Sequence, residues 1–154
     1  MATRFIRRRH RDSESGAELV EFSLVFMILM MVVLGIVDFA LLFQRNEVLT
    51  NATREGARVA VLPGYTPTDV QNRVMTFVAQ GGVPISGGNP AVTVTATTIP
   101  ELGGTRPATT VNVAYNHDYI FIGAIATWFG GAGYGTVSLQ HESTMRNELA
   151  AAAP

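Results

Sequence analysis

The chain has 154 residues, a formal net charge of −1 and a mean hydropathy of +0.24, and only 15% of its residues are charged. This length fits one modest domain plus an additional element, and soluble domains usually carry about 25% charged residues, so part of the chain is expected to lie outside water. The absence of cysteine excludes disulfides, thiolate catalysis and cysteine-based zinc sites.

The N-terminal segment combines a basic cluster with a long apolar run. All 11 basic residues are arginines, and five of them fall in the first 11 positions. Asp38 is the only charged residue between Phe22 and Phe43, and about 20 apolar residues in a helix suffice to cross a bilayer. We therefore predict a membrane span over residues 22–43, with Asp38 near one headgroup layer. The arginines indicate a cytoplasmic N-terminus and not a nucleic-acid site.

Three interpretations of this segment compete. A cleaved secretory signal would have a shorter apolar stretch followed by small residues, and a plain single-pass anchor leaves Gly16 and Glu21 unexplained. In the third, proteolysis between Gly16 and Ala17 creates a new α-amino group that pairs with Glu21 of a neighbouring copy. Gly16 would interrupt the helix and let a protease approach the backbone, and Glu21 would need a cation because a carboxylate in mid-membrane costs roughly 2.5–3.5 kcal/mol.

Three short motifs resemble those of a known family. Residues 16–22 (GAELVEF) resemble the type IV prepilin processing pattern, and an aromatic directly after the glutamate, here Phe22, is similar to the subset used by tight-adherence (Tad/Flp) pili. Residues 51–60 (NATREGARVA) resemble a signature of TadE-like pilus-assembly proteins, and residues 143–148 (STMRNE) resemble the strand that closes members of that family.

This resemblance implies a minor pilin or pseudopilin that acts in assembly of a Tad (Flp) pilus for cell adhesion. A prepilin peptidase would cut after Gly16, Ala17 would supply the amine, Glu21 would register the subunit against a neighbour, and Phe22 would fit the peptidase or filament groove. Implied partners are other Tad pilins and minor pilins, the inner-membrane assembly platform and the lipid bilayer. The protein would lie in the bacterial inner (cytoplasmic) membrane with its head extracytoplasmic. Because mature Tad major pilins are very short, a chain with a substantial head looks like an accessory subunit.

Beyond the membrane the helix is predicted to continue to Leu62, where proline and glycine follow. A helix from Ala17 to Leu62 would be about 65–70 Å long. Its small residues Ala52, Gly56 and Ala60 recur every four positions on one face. The favoured interpretation is close packing against the protein's own sheet, because glycine in a helix costs about 1 kcal/mol relative to alanine. The alternative is a contact with another subunit.

The head is predicted to contain a second helix and a sheet. Thr66, Pro67 and Asp69 predict a capped helix start, and a glycine pair ends the helix. Alternating apolar and polar residues predict strands at 91–97, 110–115 and 137–145, with a turn at 100–107. The predicted fold class is α+β: a pilin-like long N-terminal transmembrane helix continuing into a small head with a second helix and a three- to four-stranded antiparallel sheet. The predicted parts are a basic leader at 1–16, the long helix at 17–62 and the head at 63–154.

The apolar segment 119–129, which contains Trp128, admits more than one interpretation. It is too short to cross a bilayer as a helix, and we expect a buried core segment. A membrane-skimming loop and an exposed contact patch for another subunit are the alternatives, since aromatic residues are favoured at both surfaces. Trp128 is accordingly a candidate subunit-contact residue.

The sequence offers little support for catalysis. His117 and His141 stand beside acidic residues without the close spacing of a metal site, residues 130–135 (GGAGYG) lack the lysine of a phosphate loop, and no nucleophile elbow is present. We therefore expect no enzyme activity, no metal and no cofactor. The alternative functions are an uncleaved signal-anchored membrane protein with an extracytoplasmic binding domain and, third, a secreted enzyme.

Overall fold

The computed structural model describes residues 9–128, 130–131 and 135–147, with side chains from residue 15 onward. In chain order its elements are α1 (Arg9–Ala60), α2 (Pro67–Gln80), β1 (Ala91–Glu101), β2 (Gly104–Asp118), α3 (Phe121–Trp128) and β3 (Thr136–Arg146). The long apolar helix, the second helix and the antiparallel sheet confirm the predicted α+β, pilin-like fold class.

Helix α1 is a continuous rod of 52 residues, which corresponds to about 78 Å at 1.5 Å per residue. It passes through Gly16 without a break, so the predicted interruption of the helix at this glycine is wrong. Its N-terminal half presents exposed apolar side chains to the surroundings, from Leu19 to Phe43. From Ser15 to Ala60 the helix is long and apolar enough to cross a membrane.

Helix α2 begins with the predicted cap. The backbone N–H of Asp69 donates to Oγ1 of Thr66 at 3.3 Å, and the N–H of Thr66 donates to Oδ2 of Asp69 at 2.9 Å. These reciprocal bonds satisfy two amides that the first turn of a helix leaves without partners. The apolar side of α2 faces inward through Val70, Val74 and Val78, as the sequence predicts.

The strands form one antiparallel sheet in the order β1-β2-β3. A tight hairpin of Leu102 and Gly103 joins β1 to β2, and Glu101 pairs with Gly104. The turn predicted over residues 100–107 is therefore too long. The backbone of Gly103 has a φ of +101°, which explains the glycine at this turn.

The hydrophobic core lies between one face of the sheet and the two longer helices. The C-terminal half of α1 contributes Leu49 and Ala57, and the central strand β2 contributes Val111, Val113 and Tyr115. On the opposite face the sheet is polar, and the hydroxyls of Thr110 and Thr144 lie 2.7 Å apart across β2 and β3. The sheet of the head is therefore covered by helices on one face only, and that face packs against the C-terminal part of the rod.

Candidate functional site

The predicted processing residues lie on the exposed N-terminal half of α1. Gly16, Ala17 and Glu21 are exposed, and a Cβ added to Gly16 would meet no atom within 4 Å. Phe22 is 65% exposed and its ring stacks on that of Phe26, with ring centroids 5.9 Å apart. These residues present one apolar and acidic surface to whatever surrounds the helix.

The small residues of α1 face the core of the same chain. Ala52 and Gly56 are buried and Ala60 is partly buried. A Cβ placed on Gly56 would lie 2.5 Å from Cγ2 of Val74 and 3.3 Å from Cγ1 of Val111, so α2 and β2 approach the helix here more closely than any other residue would permit. The favoured interpretation, packing against the protein's own sheet, accounts for part of this contact: Val111 of β2 lies here, but the nearest side chain is Val74 of α2. This burial leaves no surface at Ala52 or Gly56 for a second subunit.

The structure reveals a site at Asp38 that the sequence reasoning missed. The Asp38 side chain is buried, although it stands in the apolar half of α1. Its Oδ1 accepts a hydrogen bond from the backbone N–H of Ile120 at 3.1 Å. Its Oδ2 accepts from the N–H groups of Phe121 and Ile122, at 2.8 and 2.6 Å. Asp38 therefore caps the N-terminus of α3 from a distant part of the chain.

This arrangement satisfies two demands at once. The first amides of a helix lack intrahelical partners, and the two residues before α3, Tyr119 and Ile120, carry no side chain suited to capping a helix N-terminus. A carboxylate withdrawn from water needs hydrogen bonds in turn, and the positive end of the α3 dipole favours the negative charge. The Asp38 carboxylate is therefore paired with the backbone at the start of α3, and its position near a headgroup layer stays a prediction.

A sequence signal for this contact exists. Asp38 precedes Leu49 by 11 positions and Arg45 precedes it by four, so both extend the helical face that carries the core residues.

Helix α3 lies outside the core. None of its residues is buried, and Trp128 is 87% exposed, so the expectation of a buried core segment at 119–129 is wrong for the residues that the structure describes. Its first turn is bonded to Asp38 of α1, and just before the helix the rings of Tyr119 and Phe39 meet edge to face with centroids 6.2 Å apart. Helix α3 is therefore only partly covered by protein, and its exposed residues, Ala124, Thr127 and Trp128, lie beside the apolar half of the rod.

Two histidines, His117 buried and His141 partly buried, form a polar layer between α1 and the sheet. Nη1 of Arg45 donates to Nδ1 of His117 at 2.7 Å, and Oγ1 of Thr50 lies 3.2 Å from Nδ1 of His141. Burial lowers the pKa of both imidazoles, and the positive charge of Arg45 lowers that of His117 further. Neutral histidines at these positions therefore help to join the rod to the head.

Glu55 connects α1 with α2. Its carboxylate receives hydrogen bonds from Arg58 on the same helix, at 2.9 Å from both Nε and Nη2, and from Arg73 on α2, at 3.1 Å from Nε and 2.9 Å from Nη2. These guanidinium bonds lower the pKa of Glu55 to about 2. The acidic residue of the motif at 51–60 thus has a structural role within one chain.

Across the described residues, no group of three or more His, Asp or Glu side chains is placed to hold a metal ion. His117 and His141 face α1, and their flanking acids Asp118 and Glu142 are exposed. Within the described residues, the protein combines an exposed apolar rod with a compact head.

Similarity to a known family lies along helix α1. No curated protein and no solved structure matches the chain. The model of one family, described as TadE-like protein, matches residues 16–58, which contain the predicted processing residues, Asp38 and most of the helix face that packs against the head. The family match indicates a role in Tad pilus assembly, and with the long apolar helix it indicates a membrane-anchored protein. Over residues 16–58 this chain is therefore similar to TadE-like proteins, which supports the resemblance at the motifs 16–22 and 51–60, whereas the motif at 143–148 lies outside the match.

Proposed function

We propose that this protein is a minor pilin or pseudopilin that acts in assembly of a Tad (Flp) pilus. A prepilin peptidase cuts it between Gly16 and Ala17 on the cytoplasmic side, and the head lies outside the cytoplasm. The observation that supports this most directly is the TadE-like match, which starts at Gly16 and includes Glu21 at the entrance of an exposed apolar helix.

The proposed chemistry is an ion pair made by proteolysis. Hydrolysis of the Gly16–Ala17 peptide bond leaves an α-amino group, which is mainly protonated near neutral pH because its ordinary pKa is about 7.7–8.0. Glu21 stands four residues further on, about 6 Å along the helix. When subunits pack side by side in an apolar assembly, the amine of one chain neutralises the Glu21 carboxylate of the next, because neither charge is stable alone in a low-dielectric surrounding.

The surfaces available for assembly follow from burial. Ala52 and Gly56 are occupied by the chain's own head, so the proposed subunit contact is made by Glu21 and by the exposed apolar side chains around Phe22. Proposed partners are the prepilin peptidase, other Tad pilins and minor pilins, and the inner-membrane assembly platform.

The test compares three single substitutions in cells with an active prepilin peptidase. Gly16→Leu is expected to block processing, so that intact mass retains the arginine-rich leader. Glu21→Ala is expected to be processed to a chain beginning at Ala17 but to abolish pilus assembly. Glu18→Ala is the matched control, because Glu18 is another exposed acid on the same part of α1, and it should be both processed and assembled.

Each alternative gives a different result. Wild-type protein that keeps its leader in such cells would support an uncleaved anchor with a binding head. Normal pilus assembly by Glu21→Ala would refute the proposed ion pair while leaving processing intact. A wild-type chain that begins in the fifties or sixties would indicate secretion.

A further inference from the structure

Helix α3 is held at the level of the membrane-spanning part of α1. The three bonds that Asp38 accepts from Ile120, Phe121 and Ile122 fix the first turn of α3 to one point on the rod. Asp38 stands five residues before Phe43, the last apolar residue of the run and 68% exposed. At 1.5 Å per residue, Asp38 is about 7 Å inside that end of the run.

The surface of α3 suits lipid and not water. Residues 121–128 (FIGAIATW) contain no charged side chain, and none of them is buried. Ile120 is 55% exposed. The apolar exterior of α1, which includes Phe39 beside Tyr119, continues directly into that of α3.

Several polar groups of α3 are paired within the chain, as a lipid surrounding requires. Oγ1 of Thr127, its only polar side chain apart from the indole of Trp128, donates to the carbonyl of Ala124 at 2.7 Å. At the C-terminal end, the N–H of Gly130 donates to the carbonyl of Thr127 at 3.2 Å, and the N–H of Gly131 donates to that of Ala126 at 2.9 Å. Asp38 satisfies the N-terminal end.

We propose that α3 inserts into the membrane leaflet nearest the head and lies among the lipids beside α1. The inference rests on the membrane span assigned to α1, and the occupant of the exposed face of α3 is the acyl-chain and headgroup boundary of the bilayer. The estimated depth of Asp38 lies within the roughly 5–10 Å at which interfacial helices rest. Trp128 is a residue type enriched at that boundary.

Trp128 is the only tryptophan in the chain, so its fluorescence reports on α3 without labelling. The full-length protein is reconstituted at a low protein-to-lipid ratio into phosphatidylethanolamine–phosphatidylglycerol vesicles, with or without phospholipids brominated on the acyl chains. Emission is then measured against brominated lipid and against aqueous acrylamide.

Two relocated tryptophans in a Trp128→Phe background provide the references. Phe26→Trp places the reporter within the apolar half of α1, and Tyr65→Trp places it on an exposed loop of the head. We expect brominated lipid to quench Trp128 strongly, as it quenches the Phe26→Trp reporter. Acrylamide should quench Trp128 several-fold less than the Tyr65→Trp reporter.

The other outcomes overturn the inference in distinguishable ways. Quenching of Trp128 by acrylamide to the level of the Tyr65→Trp reporter, without quenching by lipid, would place α3 in water. Quenching by neither agent would mean that α3 is covered by protein, such as a second subunit. Failure of brominated lipid to quench the Phe26→Trp reporter would refute the span of α1 itself and, with it, the membrane topology of the proposed function.

Discussion

Replacement of Asp38 by alanine should release the first turn of α3 while leaving the rest of the head folded. The substitution removes the acceptor of the hydrogen bonds from Ile120, Phe121 and Ile122. A hydrogen bond to a charged group contributes roughly 1.5–3 kcal/mol, but loss of a helix cap usually costs only about 0.5–2 kcal/mol because the freed amides find other partners. Asp38 is buried, so few such partners are at hand.

We therefore expect the local opening free energy of α3 to fall by about 2–4 kcal/mol in Asp38→Ala. Since about 1.4 kcal/mol corresponds to a factor of ten, the amides of Phe121 and Ile122 should exchange with solvent roughly 30- to 1,000-fold faster. Asp38→Asn keeps one acceptor oxygen and should give an intermediate loss of about 1–2 kcal/mol.

The assay is hydrogen exchange of the full-length protein in detergent micelles, followed amide by amide by NMR. The matched control is Asp69→Ala, which removes a capping carboxylate from α2 and should accelerate exchange in the first turn of α2 only. Protection of the Phe121 and Ile122 amides that stays within about three-fold of wild type in Asp38→Ala would refute the assigned capping role, because it would correspond to less than about 1 kcal/mol.

Three further predictions concern the head. Gly56→Ala should lower the stability of the head by about 1–2 kcal/mol, because overpacking against Val74 costs more than the helix propensity returns; thermal unfolding should show no such loss for Gly35→Ala, where an added Cβ meets nothing within 4 Å. The pKa of Glu55 is lowered from 4.5 to about 2 in the folded state. Its contribution to folding stability is therefore complete above about pH 5 and is lost as the pH falls toward 2. Urea unfolding of Glu55→Gln should lack this pH dependence. Because burial lowers the pKa of His117 and His141, the unfolded state binds more protons below its ordinary histidine pKa of about 6.5. Stability should therefore fall as the pH drops from about 6.5, less so in a His117→Gln/His141→Gln variant, and equal slopes would contradict the buried neutral state.

Local patterns predicted most of the head. Proline, glycine and capping residues mark the ends of α2, and the alternation of Val and Thr marks β1, because these signals act within a few residues. The length of the β1–β2 turn differs from the prediction. Pro100 and Pro107 predict a long turn, whereas both residues lie within the paired strands. Proline can occupy a strand where its missing N–H is not needed for pairing.

The spacing of Asp38 from Leu49 indicates the helix face on which Asp38 lies, but its partner lay beyond such reasoning because the two halves of the site are more than 80 residues apart in sequence. Neither half is unusual alone: one acid in an apolar run, and one apolar segment without a cap. Only the fold shows that the Asp38 carboxylate accepts the hydrogen bonds of the uncapped amides at the start of α3. The apolar composition of residues 119–129 predicts burial in protein, although the same composition suits a surface next to lipid.

The residues of α1 that contact the rest of the chain lie on one face of the helix. Five residues lie on this face at intervals of seven, four, three and four positions: Asp38, Arg45, Leu49, Ala52 and Gly56. Through these residues the rod contacts α3, the histidine layer and the core. One residue inserted between Phe39 and Gln44 would turn the lower part of the rod by about 100° relative to the upper part, so α3 and the head could no longer both engage it. Because α3 and the head are both attached to this one face, rotation of the rod about its axis would turn the head with it.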